Sequence, residues 1–283
     1  MKKFIFIPII LFFLAFQTKA QYHGGGFSSN YSKTRFINYF NSGFSGSYGK
    51  GNYYFTKGNY KKAIQCYTKA LNEPNYLSNV NYSDIYYKRG YAKYKLYQFD
   101  DAIADFDKVI ADRPNYSLGY NSKGLAEFYS GNYKAALADI NHAIRLEPHH
   151  ADSYYFRSVI NYHFQDYKAV ITDCDTALIC NSNHLQAIER RANAKYITLD
   201  FEGAVNDYTK ALKYNWENPQ LYFSRGLAYT HLNKLDEAAK DFYKAHTLDK
   251  NNQEYTDNLN SLITESPSTT NSVARMTFSN NKN

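Results

Sequence analysis

Residues 83–116 read SDIYYKRGYAKYKLYQFDDAIADFDKVIADRPNY, and residues 117–150 read SLGYNSKGLAEFYSGNYKAALADINHAIRLEPHH. Laid one over the other without a gap, they set Gly90 on Gly124, Ala102 on Ala136 and Phe106 on Ile140. The same pattern returns every 34 residues, five times in succession, from Ser83 to Asn252. One column holds Gly90, Gly124, Ser158, Ala192 and Gly226, and a second holds Ala102, Ala136, Val170, Ala204 and Ala238. A third holds Val109, Ala143, Ala177, Ala211 and Ala245, and a fourth holds Phe106, Ile140, Cys174, Tyr208 and Phe242. A fixed period of this size marks a stacked repeat array.

Each period contains two helical stretches with a short break between them. In the second, Phe99, Ala102, Ile103, Phe106 and Val109 fall at spacings of three, one, three and three, which is a helical face and not a strand. Pro114 and Pro148 stop that helix and extend the turn into the next period. Helix axes that pack about 8–10 Å apart need small side chains where they cross. The Gly90 and Ala102 columns therefore belong where the two helices of a unit meet, and the Ala143 column where one unit meets the next. Tyr60, Phe99, Tyr133, Tyr167, Phe201 and Leu235 fill the space beside those crossings. No pair of helices buries such a face alone, so the units must stack.

These columns resemble the tetratricopeptide repeat family, whose period is 34 with small residues at the eighth, twentieth and twenty-seventh places. The resemblance implies an all-α fold, a right-handed superhelical solenoid of about six helix-turn-helix repeats. Phasing on Gly90 gives repeats at 83–116, 117–150, 151–184, 185–218 and 219–252, with an earlier one at 44–77 carried by Gly51, Tyr54, Ala63, Tyr67 and Ala70. Five extra residues, Ser78 to Tyr82, follow that first repeat. The sequence departs from the family at the tryptophan place, held by Tyr86, Tyr120, Tyr154, Ile188 and Tyr222, and at the usual proline place of the last three repeats, held by Ser182, Trp216 and Lys250. The first repeat has Ser47 at that place and several glycines, so its first helix is the weakest element. Tyr255, Leu259, Leu262 and Ile263 mark a capping helix over 253–264, and the polar stretch 265–283 reads as a disordered tail.

Residues 1–20, MKKFIFIPIILFFLAFQTKA, combine Lys2 and Lys3, an apolar run and a small-x-small end, the pattern of a signal peptide cleaved before Gln21. The run is shorter than the roughly 20 residues that a spanning helix needs. The expectation is an exported protein, periplasmic or secreted, with no integral membrane anchor after cleavage. Its composition and its leader resemble those of exported Bacteroidetes proteins. Residues 21–43, rich in Gly, Ser and Asn, read as a flexible linker with a short apolar cluster at Phe36, Ile37, Tyr39 and Phe40.

The formal charge is +7, of which Lys2, Lys3 and Lys19 contribute three, leaving 7 − 3 = +4 after cleavage. The remaining bases are interspersed with acids, not massed into a face, which argues against nucleic-acid binding. Three cysteines, Cys66, Cys174 and Cys180, are no disulfide framework. Cys174 reads as a small buried hydrophobe, and Cys66 has no evident His partner. No catalytic or nucleotide-binding motif is present, so no enzyme activity and no cofactor are expected. His149, His150 and His184 lie in the breaks between repeats without an acid or cysteine at ligand spacing, and read as surface turn residues and not as metal ligands.

Asp105, Asp139, Asp173, Asp207 and Asp241 recur with the same period as Arg89, Lys123, Arg157, Arg191 and Arg225. One reading pairs each acid with a base of its own or the next repeat, Asp139 with Arg157 for example, and the other leaves both rows solvated.

The resemblance further implies that the first helix of each repeat lines a concave surface. At the matching places stand Tyr87, Tyr91, Tyr94 and Lys95, then Asn121, Leu125, Phe128 and Tyr129, then Tyr155, Val159, Tyr162 and His163. Glu189, Asn193 and Tyr196 follow, and Phe223, Leu227, Thr230 and His231 close the row. The candidate peptide-binding residues are Tyr87, Tyr91, Tyr94, Asn121, Leu125, Phe128, Tyr155, Tyr162 and Tyr196. The Lys and Asn carboxylate clamp of some family members is not reproduced. Tyrosine offers a rigid contact area with a polar tip. The competing reading is that these rings mainly pack helices. The function expected is that of a non-enzymatic scaffold or adaptor holding a peptide or protein of unstated identity. A self-assembling structural component and a binder of envelope glycan are the alternatives, and the oligomeric state stays open.

Overall fold

The computed structural model describes residues 46–73 and 82–265. The signal peptide, the linker, the end of the first repeat and the tail expected from the sequence lie outside these residues. The described chain forms thirteen helices and no strand. They are α1 (Ser47–Thr56), α2 (Tyr60–Leu71), α3 (Tyr82–Lys95), α4 (Phe99–Asp112), α5 (Ser117–Tyr129), α6 (Tyr133–Leu146) and α7 (Ala151–His163). Then come α8 (Tyr167–Cys180), α9 (Leu185–Ile197), α10 (Phe201–Leu212), α11 (Pro219–His231), α12 (Leu235–Leu248) and α13 (Gln253–Glu265). Each helix packs on the next, and the odd-numbered helices α3, α5, α7 and α9 also touch one another in sequence. The architecture is therefore an all-α repeat solenoid with one row of first helices and one of second helices. No described helix is long and apolar enough to cross a membrane.

The crossing columns explain the close packing. Ala102, Ala136, Val170, Ala204 and Ala238 are wholly buried, as are Ala143, Ala177, Ala211 and Ala245. A Cβ placed on Gly226 would come 2.6 Å from Cε1 of Phe242, and one on Gly51 would come 2.5 Å from Cε1 of Tyr67. On Gly124 it would meet the Ala136 carbonyl oxygen and the Ile140 side chain, both at 3.0 Å. Where the column carries a larger residue, Ser158, the facing position shrinks to Cys174, whose thiol burial raises to about 11. Cys66, Cys174 and Cys180 are all free thiols. At the last repeat, α13 buries Tyr255, Leu259 and Leu262 against Phe223, Phe242 and Ala245.

The turn between the two helices of a repeat has one backbone device throughout. Gly58, Tyr97, Gly131, Gln165, Leu199 and Asn233 all take positive φ, between 57° and 89°. The amide one residue later donates to a carbonyl five residues back, as Asn132 does to Glu127 and Asp200 does to Lys195. This is the left-handed helix stop that glycine fills without strain. At Tyr97 and Leu199, which are 81% and 70% exposed, a large side chain occupies the strained position with little packing in return. A non-glycine residue pays about 1 kcal/mol there. Leu199→Gly is therefore expected to raise the urea midpoint by an amount corresponding to about 1 kcal/mol, and Gly131→Ala to lower it by a similar amount. Equal midpoints for all three proteins would contradict this account of the turn.

Candidate functional site

The candidate surface is built from the inner row, α3, α5, α7, α9 and α11, and its aromatic side chains are bound into the fold before they are available to anything else. Tyr87 is half-buried between Phe106 and Tyr116, with ring centroids 5.9 and 5.7 Å away, and its hydroxyl lies 3.1 Å from Oγ of Ser122 in the next repeat. Tyr91 meets Phe55 of the first repeat at 5.7 Å, and Tyr94 meets Tyr129 of the third at 5.9 Å. Phe99 stacks on Tyr129 at 5.6 Å. Phe128 packs edge-on against Tyr133 and His163 at 5.5 and 5.6 Å. The rings form a continuous line from Phe55 in α1 to Phe164 after α7, because each repeat sets an aromatic beside the start of the following second helix.

Further along, the guanidinium of Arg190 lies 4.9 Å from the Tyr162 ring and 5.9 Å from the Tyr155 ring. Burial raises the Tyr162 hydroxyl despite the nearby Arg190 charge, and raises that of Tyr196 to about 12. The Tyr196 hydroxyl is 3.1 Å from Nε2 of His231, whose ring stacks on Phe201 at 4.4 Å. These tyrosines stay neutral and can both donate and accept hydrogen bonds.

Of the nine candidate residues, Tyr87, Tyr91, Tyr94, Leu125, Phe128, Tyr155, Tyr162 and Tyr196 are half-buried, each presenting part of its side chain to solvent. Asn121 is not on the open face. It is 1% exposed and donates from Nδ2 to Oγ of Ser153 at 2.8 Å, so it belongs to the α5–α7 contact. Val159 and Phe223 are buried for the same reason, turned into the joint between repeats. The helical phase places these positions on the inner row, but the neighbouring first helix covers them.

The Asp and base rows are paired within a repeat. Arg89 binds Asp105, Arg157 binds Asp173, Arg191 binds Asp207 and Arg225 binds Asp241, with shortest contacts of 2.6, 2.6, 2.6 and 2.7 Å. The expectation that Asp139 would pair with Arg157 is corrected: Arg157 faces Asp173, sixteen residues on, and Asp139 lies 3.3 Å from Nζ of Lys123. Three of the guanidinium groups also reach sixteen residues back into the preceding repeat, Arg157 to Asn141, Arg191 to Asp175 and Arg225 to Thr209, and Arg89 reaches Thr68, twenty-one residues back across the five extra residues. That double reach is what the sequence reading missed, although the second-helix column Asp107, Asn141, Asp175 and Thr209 is polar throughout.

His184 is also corrected. It is a buried cap, not a surface turn residue: Nδ1 accepts from the Ala187 amide at the start of α9, and Nε2 lies 2.9 Å from Asp152. Burial alone would raise the Asp152 carboxyl, but its hydrogen bond to His184 and the neighbouring His184 and His150 rings hold it below its ordinary value. Among the described residues, no three His, Cys, Asp or Glu side chains come together as a metal site.

Three tetratricopeptide repeat family models match the chain, over residues 219–252, 45–73 and 121–183. The chain therefore carries tetratricopeptide repeats over those residues. No curated protein matches the sequence. A tetratricopeptide repeat protein from Parabacteroides merdae has the same fold, with a TM-score of 0.54 at 16% identity over 77% of this chain and 97% of that one. YrrB, a tetratricopeptide repeat protein with an unusual peptide-binding site, gives a TM-score of 0.54 at 16% identity over 69% of this chain and 98% of its own. The anaphase-promoting-complex hetero-tetramer Cut9–Hcn1 gives 0.63 at 14% identity, over 76% of this chain and 42% of the matched chain. At these identities the likeness shows the fold alone. The inner row is where this array carries its solvent-facing aromatic surface.

Proposed function

We propose that the protein is an exported, non-enzymatic adaptor that holds an extended peptide or protein segment along the first helices of its repeats. The observation that carries this reading is the inner row of half-buried aromatics. Each ring is fixed on one side by the core or by the next repeat and open on the other. Rings ordered in advance lose little conformational entropy on binding and bring large contact area with a polar tip. The half-burial also reconciles the two readings of the tyrosines: a ring that staples two repeats with one face can contact a ligand with its rim. Export rests on the leader-like pattern of residues 1–20.

A photoreactive phenylalanine analogue at position 128, compared with the same analogue at the outward-facing Ile179, tests the assignment. Ile179 is 84% exposed on α8. Crosslinking in the native cell should give a discrete adduct from position 128 that is absent from position 179, and identification of the adduct reads the partner class. Adducts between two copies of the chain, or retention on envelope glycan, would replace this reading by self-assembly or by glycan binding. Equal adducts from both positions would remove the inner row from consideration.

A further inference from the structure

In the second, fourth and fifth repeats the central Asp accepts a hydrogen bond at Oδ2 from the residue twelve places before it. Lys93 supplies it to Asp105, Asn161 to Asp173 and Lys195 to Asp207, each at 2.9 Å. In the third repeat the residue at that place is Glu127, opposite Asp139. A carboxylate has no hydrogen to give. Glu127 is 6% exposed and its Oε2 has no hydrogen-bond partner, while Oδ2 of Asp139 makes no hydrogen bond and has only the Lys123 ammonium beside it at 3.3 Å. Glu127 and Asp139 are neighbours at the two ends of the bond that those three repeats make, with its hydrogen missing.

The charge count points the same way. Lys123 replaces the arginine of the other repeats, and its single ammonium faces Asp107 at 3.0 Å, Asp139 at 3.3 Å and Glu127 at 3.7 Å. Three carboxylates from α4, α5 and α6 share one cation. The flanking first helices bring no relief, since Arg89 and Lys93 of α3 are committed to Asp105 and Arg157 of α7 to Asp173. The buried Glu127 and the half-buried Asp139 cannot both ionise cheaply so close together.

We propose that Glu127 is carried as the neutral acid in the folded chain and donates its proton in a hydrogen bond to the Asp139 carboxylate, so that losing this proton loosens the α5–α6 joint in the middle of the array. Burial, then the Asp139 charge, raise the Glu127 carboxyl to about 7, with Lys123 opposing, while the bond to Asp139 and the Asp107 charge add to the rise. The raised acid dictates the sign. Below pH 4.5 both folded and unfolded chains hold the proton, and the bond contributes fully. Between 4.5 and about 7 the unfolded chain has released a proton that the folded chain keeps, so stability falls as pH rises and is lost above that window. The device sits one residue before Phe128, so the joint that responds to pH also sets that ring.

The test is a carbon-13 titration of the Glu127 side-chain carboxyl in the intact chain, together with urea unfolding from pH 4.5 to 8.5 for the wild type and Glu127→Gln. The amide of glutamine donates at every pH. The expected results are a Glu127 midpoint displaced from the ordinary glutamate range toward neutrality and a wild-type folding constant that drops on the order of a hundredfold across the window. Glu127→Gln should lose most of that drop and exceed the wild type in stability at pH 8. A Glu127 midpoint in the ordinary glutamate range overturns the proposal, as does a Glu127→Gln protein that keeps the wild-type slope. The carboxyl titration decides by itself should the variant not fold.

Discussion

Asp207→Ala lowers the stability of the array by about 3 kcal/mol, whereas Asp175→Ala, which removes a carboxylate from the same arginine, lowers it by less than about 1 kcal/mol. The two acids both bind Arg191, and the difference lies in their surroundings. Asp207 has 6% of its side chain exposed and receives both Nη2 and Nε of Arg191 together with Nζ of Lys195, at 2.6, 2.8 and 2.9 Å. Removing it strands two largely buried cations, and a buried charge without its partner carries its full desolvation penalty. Asp175 is 49% exposed, and water takes its place beside Nη1 at small cost. Urea unfolding of the two variants at low and moderate salt checks the claim. Equal losses from the two substitutions would show that the inner carboxylate is no more important than the outer one.

Cys174→Phe is expected to cost about 3 kcal/mol by overpacking, and Ser158→Gly in the same chain to recover at least about 1 kcal/mol of it. The repeats themselves supply the reasoning. Gly90 faces Phe106 and Gly226 faces Phe242, where an added Cβ would come 3.0 and 2.6 Å from the ring, and the largest residue facing an aromatic in this column is Ala192, opposite Tyr208. Ser158 carries a Cβ and a hydroxyl at that crossing, and the facing residue is Cys174, fully buried. The pair Gly and Phe and the pair Ser and Cys are two solutions to one volume, so either substitution alone breaks the match. Calorimetry of the four proteins of the cycle reads the coupling directly, and additive losses would mean that the two positions do not share a space.

Much of this was legible in the residues because packing at a crossing leaves a periodic trace. The small columns at Gly90 and Ala102 place the helices, and Tyr255, Leu259 and Leu262 place the closing one. What escaped depends on three-dimensional neighbours. Arg157 reaches Asp173 and not Asp139 because the two helices of one repeat face each other antiparallel, a register that period alone leaves open. Asn121 shares its helical phase with solvent-facing residues, yet Ser153 of the next repeat covers it. The positive-φ turn at Leu199 is hidden by the leucine itself, though Gly58, Gly131 and Asn233 in the same column carried the signal. Glu127 was readable too, as the one acid in a column with Lys93, Asn161 and Lys195.

The double reach of the arginines bears on how such a chain can lengthen. Arg157, Arg191 and Arg225 find their partners sixteen residues ahead and sixteen behind. Duplicating a 34-residue segment within α3–α12 returns every arginine to an acid ahead and a polar group behind, so the copy arrives already bonded at both seams. A duplication of another length has to find that cation a new partner, as Arg89 does in Thr68, twenty-one residues back. The bridges therefore favour growth of the array by whole repeats, since only a whole period returns each partner to its place without a new one being found.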